Sequence, residues 1–292
     1  MEYDHQKNVV YGYKDGMGLI LDVLTPSTKR NGAAVISLLS AGCRSNLGFD
    51  TPSRGSLDPR LIGGFQKSAQ CFIDAGYVVF AVAHSSAPKY QVDEIIPDIS
   101  RAVRFIRYHA ERFGIDPERI GIRGGSTGGM LSLMAATAPP TADIEHEDPV
   151  ERISSHVQAV VAYFPPTDLL NWISYNVNWV SFTPFDFHSW CEESRRFERV
   201  VDPDELKAIL HRCSPINHAN ANSPPSLLVH GDEDDSVPIQ QSELFIVRLK
   251  EVDVAHKLIV AKGEGHGWAP TDDELNEMRD WFDRYLLADA QV

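Results

Sequence analysis

The stretch GGSTGG, residues 124–129, places four glycines around Ser126 and Thr127, directly after the strand-like residues 120–123. Glycine inside a regular element destabilises it by roughly 0.5–1 kcal/mol relative to alanine, so the cluster indicates a turn that side chains would block. A phosphate-binding loop is excluded, because the stretch fits neither GxxxxGK[ST] nor GxGxxG. The remaining match is G-x-S-x-G over residues 124–128, a sharp turn from a strand into a helix that exposes the serine hydroxyl. The fold must therefore contain a strand–turn–helix unit at this point.

Strand-like and helix-like segments alternate along the rest of the chain. The helix over residues 98–114 is the clearest, because its apolar residues recur at three- and four-residue spacing and Gly114 follows them. The alternation predicts an α/β fold with a mostly parallel central sheet flanked by helices on both faces. In such sheets the ligand site lies beyond the carboxyl ends of the strands. The predicted strands are 9–13, 19–24, 33–39, 77–83, 120–123, 157–164 and two more near residues 230 and 260; the other predicted helices are 65–76, 130–138 and 273–287.

One part of the chain breaks this alternation. Residues 167–222 are too long for a simple connection and are rich in aromatic residues and proline. We interpret them as an aromatic-rich lid inserted over the active edge of the sheet, within a single domain that spans residues 1–292.

Composition limits the partners. A net charge of −14 argues against binding to nucleic acid or to an anionic membrane, since both require basic patches. No stretch approaches the roughly 18 consecutive apolar residues of a membrane span, and the N-terminus lacks the pattern of a secretory signal, so we expect a cytoplasmic protein. Four scattered cysteines without a CxxC pair indicate reduced thiols, and we expect no metal and no cofactor.

A serine hydroxyl is a weak nucleophile until a histidine, held by a carboxylate, takes its proton. With this turn the expected chain order is serine, acid, histidine. Two loops follow apolar strands downstream of Ser126: HGDEDDSVP at residues 230–238 and GEGHGW at residues 263–268. The second offers His266 between two glycines, whereas the first offers four neighbouring acids, among which spacing alone does not choose.

The first loop resembles the H-G-x-x-D-x-x-V-P pattern of α/β-hydrolases, which it matches at His230, Gly231, Asp234, Val237 and Pro238. Further matches cover nearly the whole chain and include DISRAVRFIR, FGIDPERIGI and PPSLLVHGD. The chain is most similar to the esterase branch that includes bacterial feruloyl and acetyl-xylan esterases. The resemblance implies an α/β-hydrolase fold, a catalytic triad of Ser126, Asp234 and His266, and acyl transfer through an acyl-enzyme.

The chain departs from this family at two places. Where relatives carry HGGG after the third strand, it reads Ser40-Ala41-Gly42-Cys43. We expect the oxyanion to be bound by the N–H of Thr127 and by the N–H of Ala41, with that of Gly42 next in line, and the Ser40 hydroxyl to brace the turn by a local hydrogen bond. The second departure is His84-Ser85-Ser86, where relatives often carry Tyr-Arg, and it puts the packing of that loop in doubt.

These observations favour a serine carboxylesterase acting on a small-molecule or carbohydrate ester of the acetyl or feruloyl type. Three indoles are candidate substrate contacts, since aromatic rings stack on sugar or phenolic rings: Trp172, Trp179 and Trp268. Packing of the lid onto the body is the alternative reading of the aromatic residues in 167–222. Two other functions stay open, a peptidase or amidase of the prolyl-oligopeptidase type and a binding protein that has lost catalysis. The oligomeric state is not predicted.

Overall fold

The structure, a computed structural model, describes residues 2–45, 59–175 and 185–288; within these, the side chains of residues 59–63 and 173–175 are not discussed.

An eight-stranded sheet forms the centre of the described chain, in the order β1-β2-β4-β3-β5-β6-β9-β10. The first two strands are antiparallel to each other, and β2 is antiparallel to β4, whereas the remaining neighbours are all parallel. The predicted, mostly parallel sheet is thereby confirmed. Its strands are β1 Tyr3–Lys14, β2 Met17–Pro26, β3 Ala34–Leu38, β4 Val78–Val82, β5 Ile120–Gly125, β6 Ala159–Tyr163, β9 Ser226–Gly231 and β10 His256–Ala261.

Helices cover both faces of this sheet and divide the core into two layers. Adjacent strand residues alternate between the layers, as Val160 and Val161 of β6 do. One layer packs against α1 and α8. The other packs against α2, α4, α6 and α7. The helices are α1 Pro59–Asp74, α2 Val92–Tyr108, α3 Ala110–Phe113, α4 Thr127–Thr137, α5 Leu169–Tyr175, α6 Pro203–Arg212, α7 Gln240–Glu251 and α8 Asp272–Leu286.

The helix predicted over residues 98–114 differs in the structure. It begins at Val92, because Gln91 and Glu94 form a capping box there, and Pro97 lies inside it. His109 separates it from the short α3, which ends at Gly114 in the left-handed conformation that was predicted to stop the helix. The periodic segment therefore forms two helices and starts six residues earlier.

Residues 167–222 contain elements that the sequence did not predict. Besides α5 and α6 they include a two-stranded hairpin, β7 His188–Cys191 and β8 Arg196–Arg199, which lies outside the main sheet. Phe185 and Phe187 are buried in the core layer beneath, so part of the aromatic content packs this segment onto the body. A lid function and the limits of the insertion stay predictions.

We find no described helix that is both long enough and apolar enough to cross a membrane.

Candidate active site

The glycine-rich turn joins β5 to α4 at the carboxyl edge of the sheet. Ser126 stands at the N-cap of α4 with φ of 54° and ψ of −126°, a strained conformation for a residue with a side chain. A Cβ on Gly124 would lie 2.3 Å from the carbonyl oxygen of Gly128, so a larger residue there would force the strand and helix apart. The Ser126 N–H donates to the Tyr163 carbonyl at 2.9 Å, which fixes the turn against β6.

A chain of hydrogen bonds joins the three residues predicted as the triad. The Nε2 atom of His266 lies 2.9 Å from Ser126 Oγ, and Nδ1 of the same ring lies 2.7 Å from Asp234 Oδ2. A carboxylate can only accept, so Nδ1 carries the proton and Nε2 is left to accept from the serine hydroxyl. The imidazole is partly exposed, whereas the Asp234 side chain is fully buried.

Asp234 is held ionised by its surroundings. Burial alone would raise the pKa of this carboxyl, but hydrogen bonds from His230, His266 and the Val237 N–H outweigh it, so the pKa lies well below its usual value. Its Oδ1 accepts from the N–H groups of Ser236 and Val237 at 2.9 and 2.8 Å. The carboxylate therefore has one oxygen fixed by the loop and the other facing the imidazole.

His230 lies behind this carboxylate and is completely buried. Its Nε2 lies 2.7 Å from the Val237 carbonyl and 3.5 Å from Asp234 Oδ2, while Nδ1 lies 2.7 Å from Ser242 Oγ. The ring thus closes the loop that carries Asp234 and connects it to α7.

The other three acids of the loop point elsewhere. Asp232 is exposed and accepts from Lys262 Nζ and the Gly263 N–H, at 2.8 and 2.7 Å. Glu233 and Asp235 are exposed as well. Of the four, Asp234 alone reaches His266.

The turn after β3 faces the start of α4. Ala41 and Arg44 exchange two backbone hydrogen bonds, at 3.0 and 3.1 Å, across Gly42 and Cys43, which both have φ of 56°. Two successive positive φ values define a tight hairpin turn of type I′. Ala41 is a predicted oxyanion donor, but its N–H already donates to the Arg44 carbonyl, and the structure contradicts that part of the prediction. The two backbone hydrogen bonds of the turn both join Ala41 to Arg44, so neither uses the N–H of Gly42.

The Thr127 side chain clamps this turn to the helix that follows Ser126. Its Oγ1 accepts from the Cys43 N–H at 3.0 Å and lies 3.1 Å from Ser40 Oγ. The Ser40 hydroxyl does bond, but its partner lies on α4, so this is not the local bond that was predicted. The Thr127 N–H belongs to the first turn of α4, where N–H groups have no acceptor within the helix.

The loop after β4 is anchored by charges from two elements. Asp98 Oδ2 accepts from the N–H and the hydroxyl of Ser85, at 2.9 and 2.5 Å, and its Oδ1 pairs with Lys14 Nζ at 3.0 Å. Lys14 lies on β1, so the N-terminal hairpin supplies a cation where the loop itself lacks the family arginine. His84 is buried, and burial lowers its pKa to about 4. The sequence did not reveal this role of Lys14, since no local motif indicates that it pairs with Asp98, a residue distant along the chain.

The three candidate indoles have different surroundings. Trp172 is only 2 % exposed, and its Nε1 donates to the Ser236 carbonyl at 3.0 Å, so it packs against the acid loop and has no free ring face for a substrate. This burial contradicts its predicted role.

Trp179 lies outside the described residues. Trp268 is half-buried, donates to Glu274 and stacks near Phe164 at 5.0 Å between centroids.

Phe164 is a site residue that the sequence analysis missed. Its ring centroid lies 4.7 Å from that of His266, and its φ of 37° turns the backbone sharply at the end of β6. The only signal is a strand followed directly by Pro165 and Pro166. The Phe164 ring is close to both His266 and Trp268, and a substrate contact of Trp268 stays a prediction.

The described cysteines are free thiols, and burial raises the pKa of Cys43 to about 12, which makes it a packing residue of the turn. Within residues 2–45, 59–175 and 185–288, no three side chains of His, Cys, Asp or Glu gather in a way that would hold a metal ion.

Comparisons with known proteins give a family match and several esterase relatives. The BD-FAE family model matches residues 62–249, more than half of the chain. LipM of Mycobacterium tuberculosis, named a probable carboxylic ester hydrolase, is 29 % identical over 182 residues, which are 61 % of this chain and 39 % of LipM. The chain thus spans about two fifths of that relative.

Solved structures share the fold over nearly the full length. A truncated carbohydrate esterase from gut microbiota has a TM-score of 0.74 and 24 % identity, and the match covers 97 % of this chain and 96 % of that one. An acetyl ester-xyloside bifunctional hydrolase from Caldicellulosiruptor lactoaceticus has a TM-score of 0.67 and 22 % identity, with 93 % and 88 % covered. At these identities the likeness establishes the α/β-hydrolase fold.

Proposed function

The chain belongs to the BD-FAE family, and on that premise we propose that it is a serine ester hydrolase whose triad is Ser126, His266 and Asp234. The observation that carries the proposal is the continuous hydrogen-bond chain from Ser126 Oγ through both ring nitrogens of His266 to Asp234. Along the chain the nucleophile comes first, then the orienting acid and then the base, which is the order of this fold.

In the proposed reaction, Ser126 Oγ attacks the ester carbonyl carbon while His266 Nε2 takes the hydroxyl proton. The resulting imidazolium is stabilised by Asp234, and it gives the proton to the alcohol as the carbon–oxygen bond breaks. An acyl-enzyme remains on Ser126. Water, deprotonated by the same nitrogen, then releases the carboxylic acid and restores the serine.

The negative charge of the tetrahedral intermediate needs two converging N–H donors. We assign them to Thr127, the residue after the nucleophile, and to Gly42 in the turn that Thr127 clamps. Ala41 is excluded, because its N–H is bonded to Arg44.

For the substrate, we propose a carbohydrate or phenolic ester with an acetyl or feruloyl group. Two similar structures are described as a carbohydrate esterase and as an acetyl ester-xyloside hydrolase, which supports this class. The hairpin in residues 167–222 also exposes two aromatic rings, Trp190 at 49 % and Phe197 at 68 %. Aromatic rings offer a flat apolar face, which would suit stacking on the apolar face of a sugar.

The decisive test is a comparison of esters with amides on wild type and Ser126→Ala. We expect hydrolysis of p-nitrophenyl acetate, acetylated xylo-oligosaccharides or methyl ferulate, and little or none of aminoacyl p-nitroanilides. Paraoxon should add one phosphoryl group per chain, on the peptide that contains Ser126. Ser126→Ala should lower kcat by about 10⁶-fold and abolish labelling. Faster anilide than ester cleavage would indicate a peptidase, and label on another residue would refute the triad.

A further inference from the structure

Arg123 lies on β5, three residues before Ser126, and its side chain is buried, with 7 % exposed. It is in register with Ser37 of β3 and Val161 of β6. Residues in register on parallel strands project to the same face. Because Val161 belongs to the core layer under α1 and α8, Arg123 and Ser37 project into that layer too. This layer lies on one face of the sheet and borders the proposed triad at Phe164, whose ring centroid lies 4.7 Å from that of His266.

Several polar atoms in this layer lack a protein partner. Among the described residues, Nε and Nη1 of Arg123, Oγ of Ser37 and the hydroxyl of Tyr163 are all buried without a hydrogen bond. Tyr163 is in register with Gly125, two residues beyond Arg123, so it projects to the same face from the neighbouring strand. The two hydroxyls therefore face the same layer as the guanidinium, from the strands on either side of β5.

No described carboxylate of this layer neutralises the guanidinium. Glu274 of α8 accepts from Trp268 Nε1 and from the Thr271 N–H. Asp283 of the same helix accepts from the Tyr77 hydroxyl at 2.6 Å. The Phe65 ring, 5.6 Å from Arg123 Cζ, makes a cation–π contact, which brings no counter-charge.

The charge itself persists at neutral pH. Burial lowers the pKa of Arg123 to about 10, which leaves the guanidinium protonated. A buried charge without a counter-charge is strongly destabilising, and an unpartnered buried donor adds to the cost. Something that accepts hydrogen bonds and carries negative charge would remove both penalties.

We propose that Arg123, Ser37 and Tyr163 form a binding site for a small inorganic anion of the halide class, chloride in the cell, between the sheet and helices α1 and α8. The guanidinium supplies the charge and two N–H donors, and each hydroxyl supplies one more. The surrounding layer consists of buried apolar side chains, which favours a single-atom anion over an organic one. The site is structural, and it does not depend on the proposed esterase activity.

Bromide diffraction tests the site directly. Crystals of the full chain grown in sodium bromide should show an anomalous peak within hydrogen-bonding distance of Arg123, Ser37 and Tyr163. Electron density at that position without an anomalous peak, and with the hydrogen-bond geometry of water, would overturn the proposal.

Thermal unfolding gives a second readout. In sodium chloride, compared with sodium gluconate at equal ionic strength, the melting temperature of wild type should rise saturably by about 2–4 °C, the shift expected from a ligand present at several times its Kd. Equal melting temperatures in the two salts would contradict the proposal.

Variants separate this site from general salt effects. Arg123→Met, which keeps the length of the side chain, should lose the chloride dependence, and Tyr163→Phe should raise the chloride concentration needed for half of the shift. Arg119→Met is the matched control, because Arg119 is partly exposed and pairs with Asp116 at 3.3 Å; it should keep the full chloride response. Should Arg123→Met not fold, Tyr163→Phe and the bromide peak decide. The assignment would be refuted if Arg119→Met lost the chloride-dependent rise in melting temperature. It would also be refuted if Tyr163→Phe kept that rise at an unchanged chloride affinity.

Discussion

The two halves of the candidate site are built in different ways. On the acid side, Asp234 is fixed by two backbone N–H groups, by His230 behind it and by His266 in front. On the oxyanion side, the turn of residues 41–44 reaches α4 through one hydroxyl, that of Thr127.

The two sides differ in whether their stabilising contacts come from the same loop or from residues distant in the sequence. The acid side follows a contiguous motif whose members hold one another, so removal of a single support leaves others in place. The oxyanion side departs from the family pattern. Its turn is held to the loop after β4 by the Ala87 N–H, which donates to the Cys43 carbonyl, and to α4 by Thr127, a residue more than eighty positions away. We therefore expect the two sides to fail differently when they are mutated.

Asp234→Asn should cause the largest loss, about 10⁴-fold in kcat, because the amide cannot hold the imidazole in the tautomer that accepts the serine proton. The exposed neighbour provides a matched control, and Asp235→Asn should remain close to wild type. Steady-state kinetics on p-nitrophenyl acetate measures both. If Asp235→Asn were the more damaging variant, the acid side would be assigned to the wrong residue.

Replacing one backbone N–H by an ester oxygen tests the oxyanion side without changing side chains. Cys43 offers a ligation junction, so a synthetic segment of residues 1–42 can be joined to the expressed remainder. With the ester at Gly42, kcat should fall by about 10²–10³-fold, the usual effect of one lost oxyanion donor.

The same replacement at Ala41 is the control for that experiment. It removes the bond to the Arg44 carbonyl, so it should lower the melting temperature with a smaller effect on kcat. The reverse ranking would restore Ala41 as the donor.

Thr127→Val removes the hydroxyl but keeps the shape of the side chain and the backbone N–H. The Cys43 N–H then loses its acceptor, and we expect kcat to fall by about tenfold, equivalent to about 1.4 kcal/mol, with little change in KM. Thr127→Ser keeps the hydroxyl and should retain most of the activity. Equal activity in the two variants would show that the clamp is dispensable and that the halves of the site do not differ as described.

His84 gives the smallest expected effect, one on stability. Its pKa is lowered to about 4 in the folded protein by burial, against an ordinary value of about 6.5. Between these two pKa values the unfolded chain binds more protons than the folded protein. The free energy of unfolding is therefore highest above about pH 6.5 and decreases as the pH falls towards about 4, by up to about 1.4 kcal/mol per pH unit. His84→Gln should flatten that slope in denaturant titrations. An unchanged slope would show that other groups cause the acid sensitivity.

Much of the fold was predictable, because strands such as β6 and helices such as α4 are strongly marked by apolar residues, glycine and proline. The meeting of the three loops that carry Ser126, Asp234 and His266 followed from their places after strands of one sheet. The choice of Asp234 among four acids depended on the resemblance to α/β-hydrolases. The hairpin of β7 and β8 was missed, since its short strands are mostly exposed and carry no apolar alternation.

The errors at the site have a common physical origin. The assignment of Ala41 failed because the backbone pairing of Ala41 with Arg44 depends on a positive φ at Cys43, which a cysteine does not signal. Trp172 was taken for a substrate contact because sequence cannot show which face of an aromatic residue is covered. Both depend on tertiary contacts and not on local pattern.

The ion pair between Lys14 and Asp98 bears on how much of the chain is needed to keep the site complete. The family match covers residues 62–249, which includes Asp98 but neither Lys14, nor the turn at Gly42, nor His266. A fragment cut to those limits would still be recognised by its sequence, yet it would lack the cation of the β4 loop, one proposed oxyanion donor and the proposed base. The smallest unit that could be transplanted between proteins with its site intact is therefore larger than the unit by which the family is recognised.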